Sequence, residues 1–472
     1  MNIQGKTSAD TKDDMPIAQT FARFANQLRD GDIPQSVRER ARYLILDAVG
    51  IALASTQYEF AHRTLSAASE FGDGDSDVIG FGVRLALRDA VLINGLLVHG
   101  LDYDDTHTRG VIHATASCFP CALGVAAASK LSGRELVTSY VIGVEVAARL
   151  GSVAKGGFHQ TGFHPTGLIG TFACTLIAGR LRGLNERQLA MAQGIALSLA
   201  SGSLEFLQDG AWTKRIHPGW AGAAGITAAA LARNGFIGPK AVYEGRFGLF
   251  NSHLGALAEQ CDYSLATEGL GETWEVSAVA VKPLPACHFT HACADSAIFL
   301  HHEHDFDPRD IVAVRALVPA EVIKTVCEPL ANKRKPQNSY DAQFSIPYAV
   351  ASGLVRGRFG LAELEPESIA DPIVLEVANK VAYEADPASA FPKYYSGEVV
   401  VTLRDGRELR HREHVNRGAS DRPLSASDII SKYLENASMA VSEARAKQIL
   451  ETVLALDDIK ANEFSRNLGG RV

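Results

Sequence analysis

The chain has 472 residues, enough for two or three domains around a sizeable core. Apolar residues make up 46% and charged residues 21%, the balance of an ordinary globular protein, and the formal net charge is -8. With no block of Lys or Arg, the composition excludes nucleic acid and an anionic membrane as main partners and leaves a small molecule as the expected one.

Residues 1–15 are polar, carry Lys6, Asp10, Lys12, Asp13 and Asp14 without an apolar core, and are expected to be a frayed tail rather than a signal peptide. From about Pro16 to Gly271, apolar residues recur at three- and four-residue spacings with almost no β-branched alternation, which predicts helices. Residues 37–54, 89–99, 134–150 and 186–200 are the clearest examples. Glycine is frequent inside these stretches although each helical Gly costs about 1 kcal/mol, so close helix-on-helix packing is expected to compensate. The small and apolar run 221–232 is too short to span a bilayer. Seven cysteines, an odd number in a long chain, fit a reduced cytoplasm, and the lone Cys118-Phe-Pro-Cys121 reads as helix packing.

The texture changes near Trp274. Stretches 276–281, 311–318 and 398–403 read as strands, Arg404-Asp-Gly-Arg407 as a hairpin turn, and 290–301 and 343–355 as helices between them. Together they describe an α+β domain. After Pro423, residues 427–433 and 441–456 return to helix and are expected to pack back on the first domain.

Chemistry concentrates in His99-Gly-Leu-Asp-Tyr-Asp-Asp-Thr-His107, three carboxylates and two imidazoles in a short stretch. A solvated helix end is the plain reading. On a helix, His99, Asp102 and Thr106 share one face with Asp105 beside them, while Asp104 points away. Asp-x-x-Asp with His107, His113, His288 and His291 could ligate a metal, but no His-Glu-x-x-His or paired Cys-x-x-Cys supports this, and no metal is assigned. His301-His-Glu-His304 reads as a solvated helix end.

A second cue is repetition. His113, His164-Pro165 and His217-Pro218 each precede a small-residue helix at nearly equal intervals, as in a repeated helical hairpin. Proline suits the first helical position, where its missing N–H is not needed, and the amides and positive dipole end there would face a carboxylate. Lys214 and Arg215, just ahead of the third start, form a carboxylate clamp, and Lys282-Pro-Leu-Pro-Ala-Cys-His288-Phe-Thr-His291 leads into the second domain with two imidazoles that could close over a substrate. No Gly-rich phosphate loop, Gly-x-Ser-x-Gly elbow, nicotinamide or pyridoxal signature is present, so cofactor-free acid and base chemistry is expected.

These residues resemble the MmgE/PrpD family of 2-methylcitrate dehydratase, cis-aconitate decarboxylase and iminodisuccinate epimerase. The matching stretches are 46–54, 94–107, 162–167, Thr213-Lys214, 243–245, 282–291, 341–348 and Pro423-Leu-Ser, in family order over nearly the whole chain. The resemblance implies a mainly α fold: an all-helical domain built from both chain ends (16–272 and 416–472), an inserted α+β lid (273–415) and a homodimer. It also implies active-site positions at Asp102, Thr106, His113, His164, Lys214 and His291, with Tyr348 nearby, between the helical domain and the lid. His107, Arg215, His217, Lys282 and His288 complete the expected substrate-binding set. His113 stands one residue further from Thr106 than in the decarboxylase pattern and precedes Ala114 where many members have proline, a spacing closer to the epimerase-like members.

The step expected from this set is proton transfer at carbon next to a carboxylate of a di- or tricarboxylate. Lys214 and the helix starts would stabilise the enolate-like charge; His113, oriented by Asp102 and Thr106, would be the base; and His164 or His291 the acid. Dehydration is the leading expectation, with epimerisation and decarboxylation open. A metal-dependent enzyme and a catalytically silent carboxylate binder are the readings from other classes.

Overall fold

The computed structural model describes residues 15–470; the expected tail, apart from Met15, lies outside the described residues. The chain is mainly α, with two hydrophobic cores. In the first, helices Gln35–Ser55, Leu87–His99, Ala114–Ala128, Gly133–Val153, Pro165–Leu181 and Thr213–Arg233 pack on one another. Ala114–Ala128 and Pro165–Leu181 are almost entirely buried, as a helix that is apolar all round must be. Gly133–Val153 is longer than the 221–232 run and is apolar enough to cross a membrane by length and composition, but here its apolar stretch is buried in the core.

The frequent glycines act where helices touch backbone to backbone. A Cβ on Gly219 would lie 2.0 Å from the Leu92 carbonyl oxygen, and one on Gly95 would lie 2.5 Å from Gly219 Cα. Thr213–Arg233 is thereby locked against Leu87–His99, and the site residues at the ends of both helices are held in one place.

The second core is built on a four-stranded sheet in the order Val381–Ala385, Ile311–Val318, Gly397–Leu403, Glu408–Glu413. The first pair is parallel and the others antiparallel, and helices His291–Glu303 and Ile346–Arg356 cover the sheet. Helices Ala426–Ser438, Glu443–Leu454 and Ala461–Gly469 return to the first core, contributing Ile429, Tyr433, Ile449 and Phe464. A buried ion pair, Lys432 Nζ to Asp47 Oδ1 at 2.7 Å, fastens Ala426–Ser438 to Gln35–Ser55.

Some local expectations are corrected. The strand at 276–281 shrinks to Val279–Ala280 behind a 3-10 turn, because its partner is the two-residue strand Thr106–His107 rather than the sheet. Strand Val381–Ala385 and the hairpin Asp73–Asp77/Arg84–Leu85 have weak sequence patterns and were not anticipated. His113 and His164 do precede their helices, with Pro165 in the first turn. His217-Pro218 instead lies inside Thr213–Arg233, which begins at Thr213. Pro218 has no amide to donate, so that helix gives up one internal bond, a cost offset by the interhelix contact at Gly219.

Replacing Gly219 with Ala should destabilise the protein by about 1–3 kcal/mol through forced separation of the two helices. Urea denaturation measures this; an unchanged midpoint would show that the contact tolerates a methyl group.

Candidate active site

Helix Leu87–His99 stops at its histidine, so residues 99–107 form a turn and a strand instead of the expected helical face. The break is made at Asp102, whose φ of 50° is left-handed, a conformation Asp tolerates better than most residues. All three carboxylates are buried, which overturns the solvated-end reading. Strand pairing of Thr106 with Ala280 aligns this loop with the segment that carries Lys282.

Asp102 sits at the centre. Its Oδ1 accepts from Lys214 Nζ at 2.9 Å and from Lys282 Nζ at 2.8 Å, and Lys282 also donates to the Asp102 carbonyl at 2.8 Å. Burial alone would raise the pKa of this acid, but the two ammonium groups hold it well below the usual carboxylate range. Burial likewise opposes charge on Lys282, yet Asp102 and Asp104 keep its pKa above the ordinary lysine value.

The neighbouring carboxylates have different tasks. Asp104, expected to point away, accepts from His99 Nδ1 at 2.8 Å; burial opposes its charge, but the His99 N–H and the nearby His113 ring draw its pKa below the usual carboxylate range. Asp105 caps helix Ala114–Ala128 through the Thr115 amide and hydroxyl; burial pushes its pKa up to about 7. His113 Nδ1 donates to the Asp105 carbonyl at 2.7 Å, with Thr106 Oγ1 at 3.3 Å. The ring is therefore oriented by Asp105 and Thr106, not by Asp102, and its Nε2 keeps a lone pair.

Around His113 the imidazoles cluster. Its ring centroid lies 4.9 Å from that of His99 and 5.9 Å from that of His164. His164 Nδ1 is 3.0 Å from His217 Nδ1, one nitrogen donating to the other. Burial, then Lys282, lowers the His113 pKa well below its ordinary value, and burial followed by His217 does the same at His164. Burial and Lys214 lower His159 to about 4.

A cavity opens between the two cores. The first domain lines it with Thr106, His113, His159, His164 and Lys214 and an apolar wall of Val111, Leu204, Phe206 and Leu207; the second adds Cys287, His288, Phe289, Phe344 and Tyr395. Sequence reasoning missed His159, which carries no motif. It also left His99 without a role, because the Asp104 pairing comes from a turn that no periodicity announces.

Other expected positions lie outside this cavity. His107 Nδ1 accepts from the Gly110 amide at 3.0 Å while Nε2 pairs with Glu275 at 2.8 Å, so both its nitrogens are spent on structure. Tyr348 is buried in the second core and donates to the Glu363 carbonyl at 2.6 Å. His291 donates through Nε2 to the Ala286 carbonyl at 3.1 Å and lies behind His288 with the ring centroids 4.7 Å apart, a supporting place rather than a lining one. His288 does reach the cavity, with Asn416 Nδ2 2.7 Å from its Nε2. His217 backs His164, Lys282 backs Asp102, and Arg215 turns to a different cavity.

Single ligand atoms of His99, His113 and His164 lie within 4.8 Å of one another, as do those of His99, Asp102, Asp104 and His113. The second set fits a cation poorly, since Asp102 is already matched by two ammonium groups and Asp104 by His99. The arrangement is better suited to an anion approaching Lys214.

Compared with known proteins, residues 19–260 match the MmgE/PrpD N-terminal domain and residues 284–458 the MmgE/PrpD C-terminal domain. The human cis-aconitate decarboxylase is 28% identical over 463 residues, covering 94% of this chain and 92% of that protein. The mouse cis-aconitate decarboxylase is 26% identical, with 94% and 91% covered, and that of Aspergillus terreus 25%, with 96% and 95%.

Asp102→Asn would leave two ammonium groups buried without their shared carboxylate, so a loss of about 3–5 kcal/mol is expected. Chemical denaturation at neutral pH checks it, and a loss below about 1 kcal/mol would show that the lysines find other partners.

Proposed function

We propose, from the premise that this chain belongs to the MmgE/PrpD family, that it is a lyase acting on a small di- or tricarboxylate by proton transfer at a carbon next to a carboxylate. The observation that carries this reading is His113: a neutral imidazole with Nδ1–H held by the Asp105 carbonyl and Nε2 left free at a cavity shared with Lys214. A weakly acidic carbon needs a nearby base and a fixed positive charge to take up enolate-like density, and these two groups supply them. Asp102 positions the ammonium group through its short bond to Lys214.

Decarboxylation is the finer reading. The relatives bear that name, and the wall of Val111, Leu204, Phe206 and Leu207 offers a departing carboxylate no hydrogen bond, so a carboxylate pressed there loses hydration. In this step the carbon–carboxylate bond breaks, its electron pair passes into the enolate-like system beside Lys214, carbon dioxide leaves, and an imidazole that has taken up a proton from solvent on anion binding gives that proton to carbon. His164, with its ring 5.9 Å from that of His113, favours dehydration or epimerisation as the second reading, because a second imidazole can act as acid on another face.

A homodimer belongs to the same proposal. Ile216, Trp220 and Leu231 are exposed along helix Thr213–Arg233, an apolar stripe suited to a second copy.

His113→Gln should lower turnover by about 10²–10⁴-fold while substrate still binds. NMR in deuterium oxide with cis-aconitate, citrate, 2-methylcitrate and iminodisuccinate reads both: deuterium at carbon identifies the reacting compound, and unchanged exchange in the variant would remove His113 from the chemistry.

The imidazoles make a pH prediction. Unbound, His113 and His164 titrate well below the ordinary value of about 6.5 and stay neutral at neutral pH. A bound anion raises their pKa, so binding should take up protons and tighten as pH falls toward that raised pKa. Titration calorimetry in buffers of different ionisation enthalpy detects the uptake; zero uptake with pH-independent affinity would sink this electrostatic account.

A further inference from the structure

Arg215 is a buried cation with no carboxylate at ion-pair distance among the described residues. The residue is 4% exposed, and its Nε donates to the Gly100 carbonyl at 2.8 Å. Its guanidinium is stacked between Phe60 and Tyr340, with Cζ 4.5 Å from each ring centroid. Among the described residues no carboxylate pairs with it, and its buried Nη1 has no hydrogen-bond partner. Buried charges are normally paired, because removing one from water is costly.

The guanidinium borders a second cavity that shares no lining residue with the first. Its walls are apolar at Phe60, Trp212, Leu361 and Leu364, and Gln343 presents a buried Oε1 that also lacks a partner. Glu59, Lys335 and Glu365 also line it but are solvent-exposed, so the one buried guanidinium, set among apolar side chains, suits a single carboxylate on an apolar body, not the compact polyanion expected at Lys214.

We propose that this cavity binds an amphipathic monocarboxylate, with its head group on Arg215 and its apolar part along Phe60, Trp212 and the Leu361–Leu364 wall. The occupant sits directly behind the catalytic loop. Arg215 holds the Gly100 carbonyl, and Gln343 Nε2 donates to the Leu101 carbonyl at 2.5 Å, the two residues immediately before Asp102. A ligand that draws on Arg215 or Gln343 therefore acts on the turn that sets the position of Asp102.

Titration calorimetry of the full chain with octanoate and 3-phenylpropionate tests the proposal, with octanol as the headless control. One saturable site is expected, at least about tenfold weaker in Arg215→Gln, several-fold weaker in Trp212→Ala, weaker for octanol and unchanged in His113→Gln. Absence of saturable binding overturns it, as does weakening in His113→Gln with retention in Arg215→Gln, which would place the ligand in the first cavity. Should Arg215→Gln fail to fold, Trp212→Ala decides: this side chain is 43% exposed, and wild-type affinity in that variant overturns the proposal.

Discussion

One buried carboxylate holds the architecture of the site together. Asp102 lies on the turn after one helix, Lys214 in the first turn of another, and Lys282 on the segment entering the second domain. Each ammonium group is too costly to bury alone, and so is the carboxylate; only their meeting makes all three tolerable. The left-handed turn at Asp102, the short strand pair Thr106–His107 with Val279–Ala280, and the glycine contact between helices all serve that meeting. Lys214 lines the cavity and brings an ammonium group to its edge.

Burial also decides the state of the imidazoles. Their pKa values are driven down because charge is expensive in this surrounding and the lysines add repulsion. Fixed acceptors then choose the tautomer: the Asp104 carboxylate for His99 and the Asp105 carbonyl for His113. The cavity thus offers neutral nitrogen bases beside a fixed cation, a combination suited to carbon-acid chemistry on anions. Arg215, adjacent in sequence to Lys214, faces another cavity, because successive helical residues point in different directions.

The mainly α architecture was legible in the sequence because long amphipathic and small-residue periodicities leave few alternatives. Two of the sheet's strands were legible at 311–318 and 398–403, with a hairpin turn after the second; Glu408–Glu413 was not read as a strand, nor was Val381–Ala385, a short strand of which only Val381 is fully buried. Thr106, His113, His164 and Lys214 could be singled out as chemistry-bearing residues beside glycine and proline punctuation, and the structure brings them to one cavity. The helical reading of 99–107 failed because a single left-handed residue ends the helix, and no pattern of apolar spacing records a dihedral angle.

By itself the sequence determined the class of the fold, the family and the stock of acids, bases and cations, since these follow from periodicity, motif order and composition. Tertiary structure alone decided which group faces which. It spent His107 on Glu275 and Tyr348 on the second core, turned Asp104 inward to His99, and separated Arg215 from Lys214. Those outcomes depend on pairing energies between residues far apart in the chain, where desolvation must be offset by a partner that local sequence does not contain.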